Sequence, residues 1–358
     1  MIKRRDTRTV MIGGVQVGSR HSVSIQSMVK VPTSSVARAS EQIRALEKAG
    51  CEIVRLAVKS EADAKALAQI KKETTIPLVA DIHFDHRLAL VAMENGVHKI
   101  RINPGNIRKE EDIAQVIGMA KDKNVPIRLG VNSGSLSEMA SGKGDPAKIM
   151  VESLLKYIEN FRKMDFNDIL LSLKSSDVVT TVEAYRLMAV ECDYPFHLGV
   201  TAAGSIEQGV VKSSVGIGSL LMDGIGDTIR VSLTGDPIDE ISTARNILSS
   251  LGLRTFGHEV IACPTCGRCQ VDLVSIVKRL EEELLESSGG DIPRSDKHLL
   301  IALMGCEVNG PGEAMAADIG IAFGKGKGAI FRRGVIVKTV QESEAIKELL
   351  EMIREETS

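Results

Sequence analysis

The 358-residue chain has no tryptophan, three tyrosines and only 3% aromatic residues. That is too few rings to stack successive bases as single-stranded nucleic-acid binders do. It also lacks an excess of either charge: Lys and Arg number 45, Asp and Glu 47, for a net of −2. Bulk attraction to nucleic acid or to anionic membranes is therefore not expected, and any basic site must be local. No stretch reaches the roughly 18 uninterrupted apolar residues of a membrane span. The opening MIKRRDTRTVMIGG is charged and lacks the apolar core of a signal peptide, so the sequence reads as cytoplasmic. Six cysteines are too few for a disulfide scaffold in a chain this long, and clustered thiols in the cytosol read as metal ligands or catalysts. Cys51 and Cys192, isolated in apolar text, read as small buried hydrophobes.

What is present is repetition. After a hairpin around Gly13 and Gly14, short β-rich runs alternate with helix-period stretches up to about residue 250. Eight strands are expected, at 22–28, 51–58, 77–82, 97–103, 126–131, 168–174, 195–201 and 227–233. Their near-continuous apolar character suits parallel strands covered by helices. Helix starts are marked by Asp145-Pro146 and Asp236-Pro237, an N-cap acid before a first-turn proline, and by Ser60 with Asp63. Eight βα units in this length predict a TIM (β/α)8 barrel over residues 1–255, with an open doubly wound sheet as the competing α/β arrangement. The pattern then changes. Residues 256–358 predict a small α+β module: CPTCGRC, a charged helix at 271–286, a strand at 298–304, the loop GCEVNGPGE, strands near 318–322 and 329–340, and a terminal helix from about 342. GKGKG at 324–328 lacks the spacing and Ser/Thr of a phosphate loop and predicts a hairpin turn.

Two constellations carry chemistry. Cys263, Cys266 and Cys269 are spaced C-x2-C-x2-C, and Cys306 follows at the end of an apolar strand. Thiolates so placed suit a cubane iron-sulfur cluster and equally satisfy tetrahedral zinc. Glu313, seven residues after Cys306, is a candidate fourth ligand, weaker than a thiolate and therefore exchangeable. The second constellation lies where barrel strands end, which is where barrel enzymes assemble their sites. Arg55, Arg101, Arg128 and Lys174 stand there with Asp81, His83, Asn103, Asn132, Thr201 and Ser232. Four cations around one mouth call for a shared anion, and phosphates suit guanidinium forks best; several such contacts imply a diphosphate-like ligand. Asp81 and His83 are a candidate acid/base pair.

KIRINPGNI (99–107), IRLGVNSGSL (127–136), LSLKSS (171–176), HLGVT (197–201), GIGDTIRVSL (224–233), ACPTCGR (262–268) and MGCEVNGPGEA (304–314) together resemble the bacterial 4-hydroxy-3-methylbut-2-enyl diphosphate synthases of the non-mevalonate isoprenoid pathway. The resemblance runs nearly end to end. It implies a barrel joined to a cluster domain of the sulfite-reductase type, in a homodimer. It also implies two-electron reductive ring opening and dehydroxylation of 2-C-methyl-D-erythritol 2,4-cyclodiphosphate, with flavodoxin or ferredoxin as donor. The four mouth cations would hold the diphosphate, and a 4Fe-4S cluster would be held by Cys263, Cys266, Cys306 and Glu313, leaving Cys269 out. This sequence departs from the family twice: Ala202 stands where the family pattern HLGVTEAG has a glutamate thought to act as an acid, and Cys269 stands where the family rarely has cysteine. The rival readings are a non-redox barrel enzyme on a phosphorylated or pterin-like substrate with a structural zinc, and a nucleic-acid binder with a zinc-ribbon tail, which the charge and aromatic content disfavour.

Overall fold

A computed structural model describes residues 2–103, 106–107, 109–136, 144–287, 298–306 and 314–357. The chain divides into two compact units, Met1–Arg254 and Thr255–Ser358.

The first unit begins with a hairpin, β1 (Val10–Ile12) and β2 (Val15–Val17). Val10, Ile12 and Val17 form one buried cluster with Ile53, Val79 and Leu170 of the barrel strands. Those strands are β3 (Ser24–Met28), β4 (Ile53–Ala57), β5 (Leu78–Ile82), β6 (Lys99–Ile102), β7 (Ile127–Asn132), β8 (Ile169–Lys174), β9 (His197–Leu198) and β10 (Thr228–Ile229). They pair in the order β8-β7-β6-β5-β4-β3-β10-β9, every pairing parallel. A single parallel bridge, Leu171 to Phe196, joins the two ends. The eight-stranded TIM barrel expected from the alternation is therefore present, and the open sheet is not.

Among the described residues eight α-helices follow the strands: α1 (Val36–Lys48), α2 (Glu61–Glu73), α3 (His86–Glu94), α4 (Glu110–Lys123), α5 (Pro146–Lys163), α6 (Val178–Glu191), α7 (Ile206–Met222) and α8 (Pro237–Ser250). The expected caps operate. Ser60 Oγ accepts from Asp63 N at 3.2 Å, Asp145 from Ala147 N at 2.9 Å and Asp236 from Ile238 N at 2.9 Å, each worth about 1 kcal/mol.

The last two strands are only two residues long, and the N-terminal segment reinforces them. Arg4 donates to Asp227 Oδ1 at 2.8 Å and to Gly226 O at 3.0 Å, and Thr7 Oγ1 donates to the same carboxylate at 2.9 Å. Asp227 Oδ2 in turn accepts from Phe196 N at 2.8 Å, while Arg5 donates to Tyr194 O at 2.6 Å. Side chains thus substitute for missing ladder bonds.

The second unit is a five-stranded mixed sheet in the order β11 (Glu259–Ala262), β12 (Leu300–Met304), β13 (Ile319–Gly324), β14 (Lys327–Arg332), β15 (Val335–Gln341). The first three are parallel and the last two antiparallel. Helices α9 (Leu273–Ser287) and α10 (Ala345–Thr357) share a buried cluster with the sheet, in which Leu273, Leu280, Leu349 and Ile353 meet Ile301, Leu303, Ile321 and Phe323. The Lys325-Gly326 turn, with φ of 53° and 74°, makes GKGKG a hairpin. The strand expected over 329–340 is two strands, because Arg333 and Gly334, at φ 47° and 77°, reverse the chain between them. Strand β11 has no counterpart in the alternation reading; it is a four-residue edge strand with half-exposed side chains.

Candidate active site

The strand-end residues converge. Arg55, Asp81, His83, Arg101, Arg128, Asn132, Lys174, Thr201 and Ser232 line one cavity at the C-terminal mouth of the barrel, joined by Ser172 and Arg230. Arg230 is the functional residue the strand-end reading overlooks. It directly follows β10 and lies two positions before Ser232, so the strand period that selects Ser232 selects it too. Asn103 directly follows β6 and is buried at 2% exposure, but it is not among the cavity-lining residues.

Four guanidiniums, one lysine amine and one carboxylate thus face the cavity. The carboxylate is Asp81, which accepts from Arg101 Nη1 at 3.1 Å and stands 3.6 Å from Arg55 Nε. Burial alone would raise the Asp81 carboxyl, but Arg55, the His83 hydrogen bond and Arg101 outweigh it and hold the group well below the ordinary carboxylate range. Asp81 is therefore an anion that positions arginines. His83 Nε2 lies 3.0 Å from Arg101 Nη1 and 3.5 Å from Asp81. The same ring nitrogen thus faces both Arg101 and Asp81, and its tautomer decides which of the two it hydrogen-bonds. Arg230 is matched by Glu240 at 3.3 Å, whereas among the described residues Lys174 Nζ reaches only a backbone carbonyl, Leu198 O, at 3.4 Å. Burial lowers Lys174's affinity for its proton, and the neighbouring Arg128, Arg55, Arg230 and Arg101 lower it further. Gly199 makes this packing feasible. At φ 155°, a Cβ there would stand 2.6 Å from Lys174 Nζ and 2.5 Å from Arg230 O.

In the second unit, β11 and β12 run parallel and deliver Cys263 and Cys306 just beyond the same ends of adjacent strands. Cys263 N donates to Leu303 O at 3.2 Å, Cys269 N to Cys266 O at 2.9 Å and Gln270 N to Gly305 O at 2.9 Å. The CPTCGRC turn is thereby tied to the Gly305-Cys306 corner. Gly305 N also donates to Cys263 Sγ at 3.3 Å, a hydrogen bond of the kind that stabilises cluster thiolates. Cys269 Sγ donates to Val271 O at 3.3 Å. All six cysteines are free thiols, and among the described residues no three His, Cys, Asp or Glu side chains form a ready metal cage. Glu313 lies outside the described residues. Parallel delivery of Cys263 and Cys306, an exposed Cys266 in the turn that follows Cys263 and a backbone donor aimed at sulfur fit an iron-sulfur cluster. Cys51 behaves as a core residue: burial pushes its thiol up to about 12, and its Sγ donates to Ile53 O. Among the described residues no helix is long and apolar enough to cross a membrane.

Residues 7–245 match the family model described as the GcpE TIM-barrel domain, and residues 259–355 match the GcpE protein C-terminal domain. The 4-hydroxy-3-methylbut-2-en-1-yl diphosphate synthase (flavodoxin) of Clostridium perfringens is 50% identical over 354 residues, covering 98% of this chain and 99% of that one. The protein of the same name from Thermodesulfovibrio yellowstonii is 50% identical over 357 residues, covering 99% and 100%. Among solved structures, dihydropteroate synthase from Stenotrophomonas maltophilia superposes with a TM-score of 0.52 at 13% identity, covering 70% of this chain and 100% of that one. That likeness speaks to the barrel fold alone and lends nothing to a pterin substrate. The alternative of a non-redox barrel enzyme with a structural zinc finds no support in the full-length relatives. With both domains matched in order and relatives matched from end to end, the chain belongs to the GcpE family.

Proposed function

We propose that this chain is a 4-hydroxy-3-methylbut-2-en-1-yl diphosphate synthase that draws electrons from flavodoxin, the donor named for its relatives, and acts in isoprenoid biosynthesis. The cyclic diphosphate dianion takes up two electrons and one proton, a ring C–O bond and a C–OH bond break, and the linear diphosphate trianion and water leave. The observation that carries this reading is the cavity of five basic side chains against one carboxylate. A charge-assisted hydrogen bond to phosphate contributes about 1.5–3 kcal/mol, and a cyclic diphosphate offers oxygens enough to engage several at once.

The chain's own residues have distinct tasks in this reading. Arg55, Arg101, Arg128, Lys174 and Arg230 grip the diphosphate, Asp81 fixes two of those guanidiniums, and Asn132, Thr201 and Ser232 supply neutral contacts. His83, about two-fifths exposed, is free to turn and carry a proton once a ligand recruits Arg101. Cys263, Cys266, Cys306 and Glu313 would hold a 4Fe-4S cluster, which when bound delivers single electrons from the donor protein. The division of labour follows the two units, with substrate in the barrel and redox chemistry in the C-terminal module, in a homodimer working in the cytoplasm. Anaerobic purification followed by iron and sulfide analysis, with an assay on the cyclic diphosphate using a reduced one-electron donor, tests the reading. Iron and sulfide in equal number with product formation are expected; a colourless preparation that is fully active would refute it.

A further inference from the structure

Beneath the mouth the barrel interior is polar as well, and nothing in the chemistry above uses it. Lys99 on β6 is fully buried, and its Nζ meets Gln26 Oε1 at 3.3 Å. Strands β3 and β6 are separated by β4 and β5 in the sheet, so this contact crosses the barrel interior. His197 on β9 is fully buried with neither ring nitrogen partnered among the described residues, and Gln26 Nε2 and Arg128 Nε and Nη1 are equally unpartnered. Arg128 links the two levels, because it also lines the mouth. The charged groups that act on Lys99 are Arg128 on β7 and Arg55 on β4, and Lys99 in turn acts on the buried His197 on β9. The one carboxylate on the mouth-facing strands, Asp81 on β5, is committed to Arg55 and Arg101.

We propose that Lys99 is a positioning residue that charges together with the ligand: it releases its proton in the substrate-free enzyme and regains it when a diphosphate occupies the cations above. The reasoning is electrostatic. A proton on Lys99 is opposed by burial and then by Arg128 and Arg55, and guanidiniums do not themselves give way at physiological pH. An anion at the mouth cancels the field of those arginines, so the same proton becomes tolerable. Once charged, Lys99 repels Arg128 toward the ligand and adds its own attraction. Linkage then requires that affinity for the anion fall as pH rises through the range in which Lys99 titrates. This inference rests on the diphosphate reading of the mouth.

Calorimetric titration of the cluster-loaded enzyme without reductant, so that nothing turns over, would count protons when repeated in buffers of different ionisation enthalpy near pH 8. The cyclic diphosphate and inorganic pyrophosphate serve as separate probes, and comparing variant with wild type cancels any proton the probe itself carries. Wild type should take up protons on binding, and Lys99→Met should lower the count by about one. Gln26→Glu should lower it similarly by another route, since a carboxylate beside Nζ keeps Lys99 charged beforehand; it carries the test if Lys99→Met does not fold. A count unchanged by these substitutions overturns the proposal. Pyrophosphate binding with the predicted difference, but no binding of the cyclic diphosphate, would reject the substrate reading and leave the proton coupling standing. No binding of either anion rejects both.

Discussion

At the scale of single residues, the barrel accepts local costs to concentrate positive charge. Lys99 shows it most directly. An unfolded lysine titrates near 10.4 and burial lowers that in the fold, so between the two values the unfolded chain binds more protons. Stability of the substrate-free protein therefore rises with pH across that window. Lys99→Met should raise Tm at pH 7, by about 2–4 °C per kcal/mol gained in a unit this size, and the gain should shrink as pH approaches 10; a pH series of thermal melts reads this out. Ala202 is a second such residue. It holds φ at 50° immediately after Thr201, a left-handed conformation costing a non-glycine residue about 1–2 kcal/mol. The resemblance described above implies an acid at this position, and general acids contribute roughly 10²–10⁴ in rate. Ala202→Glu is expected to raise kcat with a reduced donor by at least about tenfold; an unchanged kcat would mean that the proton reaches the intermediate by another route.

At the scale of elements, the legible parts of the fold were those in which one physical signal suffices. Strands β3 to β8 are largely buried on both faces, and α3, α5 and α6 after them begin at aspartates that cap them. The barrel's last two strands shrink to two residues each because the Asp227 clasp replaces ladder bonds, which no periodicity announces. Strand β11 escaped notice because a half-exposed edge strand has little alternation to show. At the site, strand-end position found nine of the eleven polar or charged cavity residues named above. It missed Arg230 and Ser172, each two positions before a residue already chosen for its strand, Ser232 and Lys174, because the layer beneath the strand end also reaches the cavity. The cysteine spacing was legible as a metal motif, whereas the strand register that brings Cys263 beside Cys306 was not. That corner has little tolerance: a Cβ on Gly305 would overlap Cys269 Sγ. Gly305→Ala should displace the CPTCGRC turn and reduce iron bound per chain after anaerobic reconstitution, with diphosphate affinity of the barrel unchanged.

At the scale of the whole molecule, two separate cores imply two separable stabilities. Ligands that bind only the folded state stabilise the unit that holds them. Pyrophosphate should therefore raise the unfolding temperature of the barrel, and stripping iron should lower that of the C-terminal module, visible as two calorimetric transitions that move independently. A single transition shifted alike by both treatments would show the units to be energetically one. The cation-lined mouth has a final consequence for throughput. Opening the cyclic diphosphate frees a terminal phosphate, so the product carries one more negative charge than the substrate and keeps every oxygen the arginines grip. A pocket built to capture the substrate thus retains its own product at least as firmly, which makes departure of that product the step most exposed to competition from other diphosphates, and accumulated product a natural brake on the enzyme.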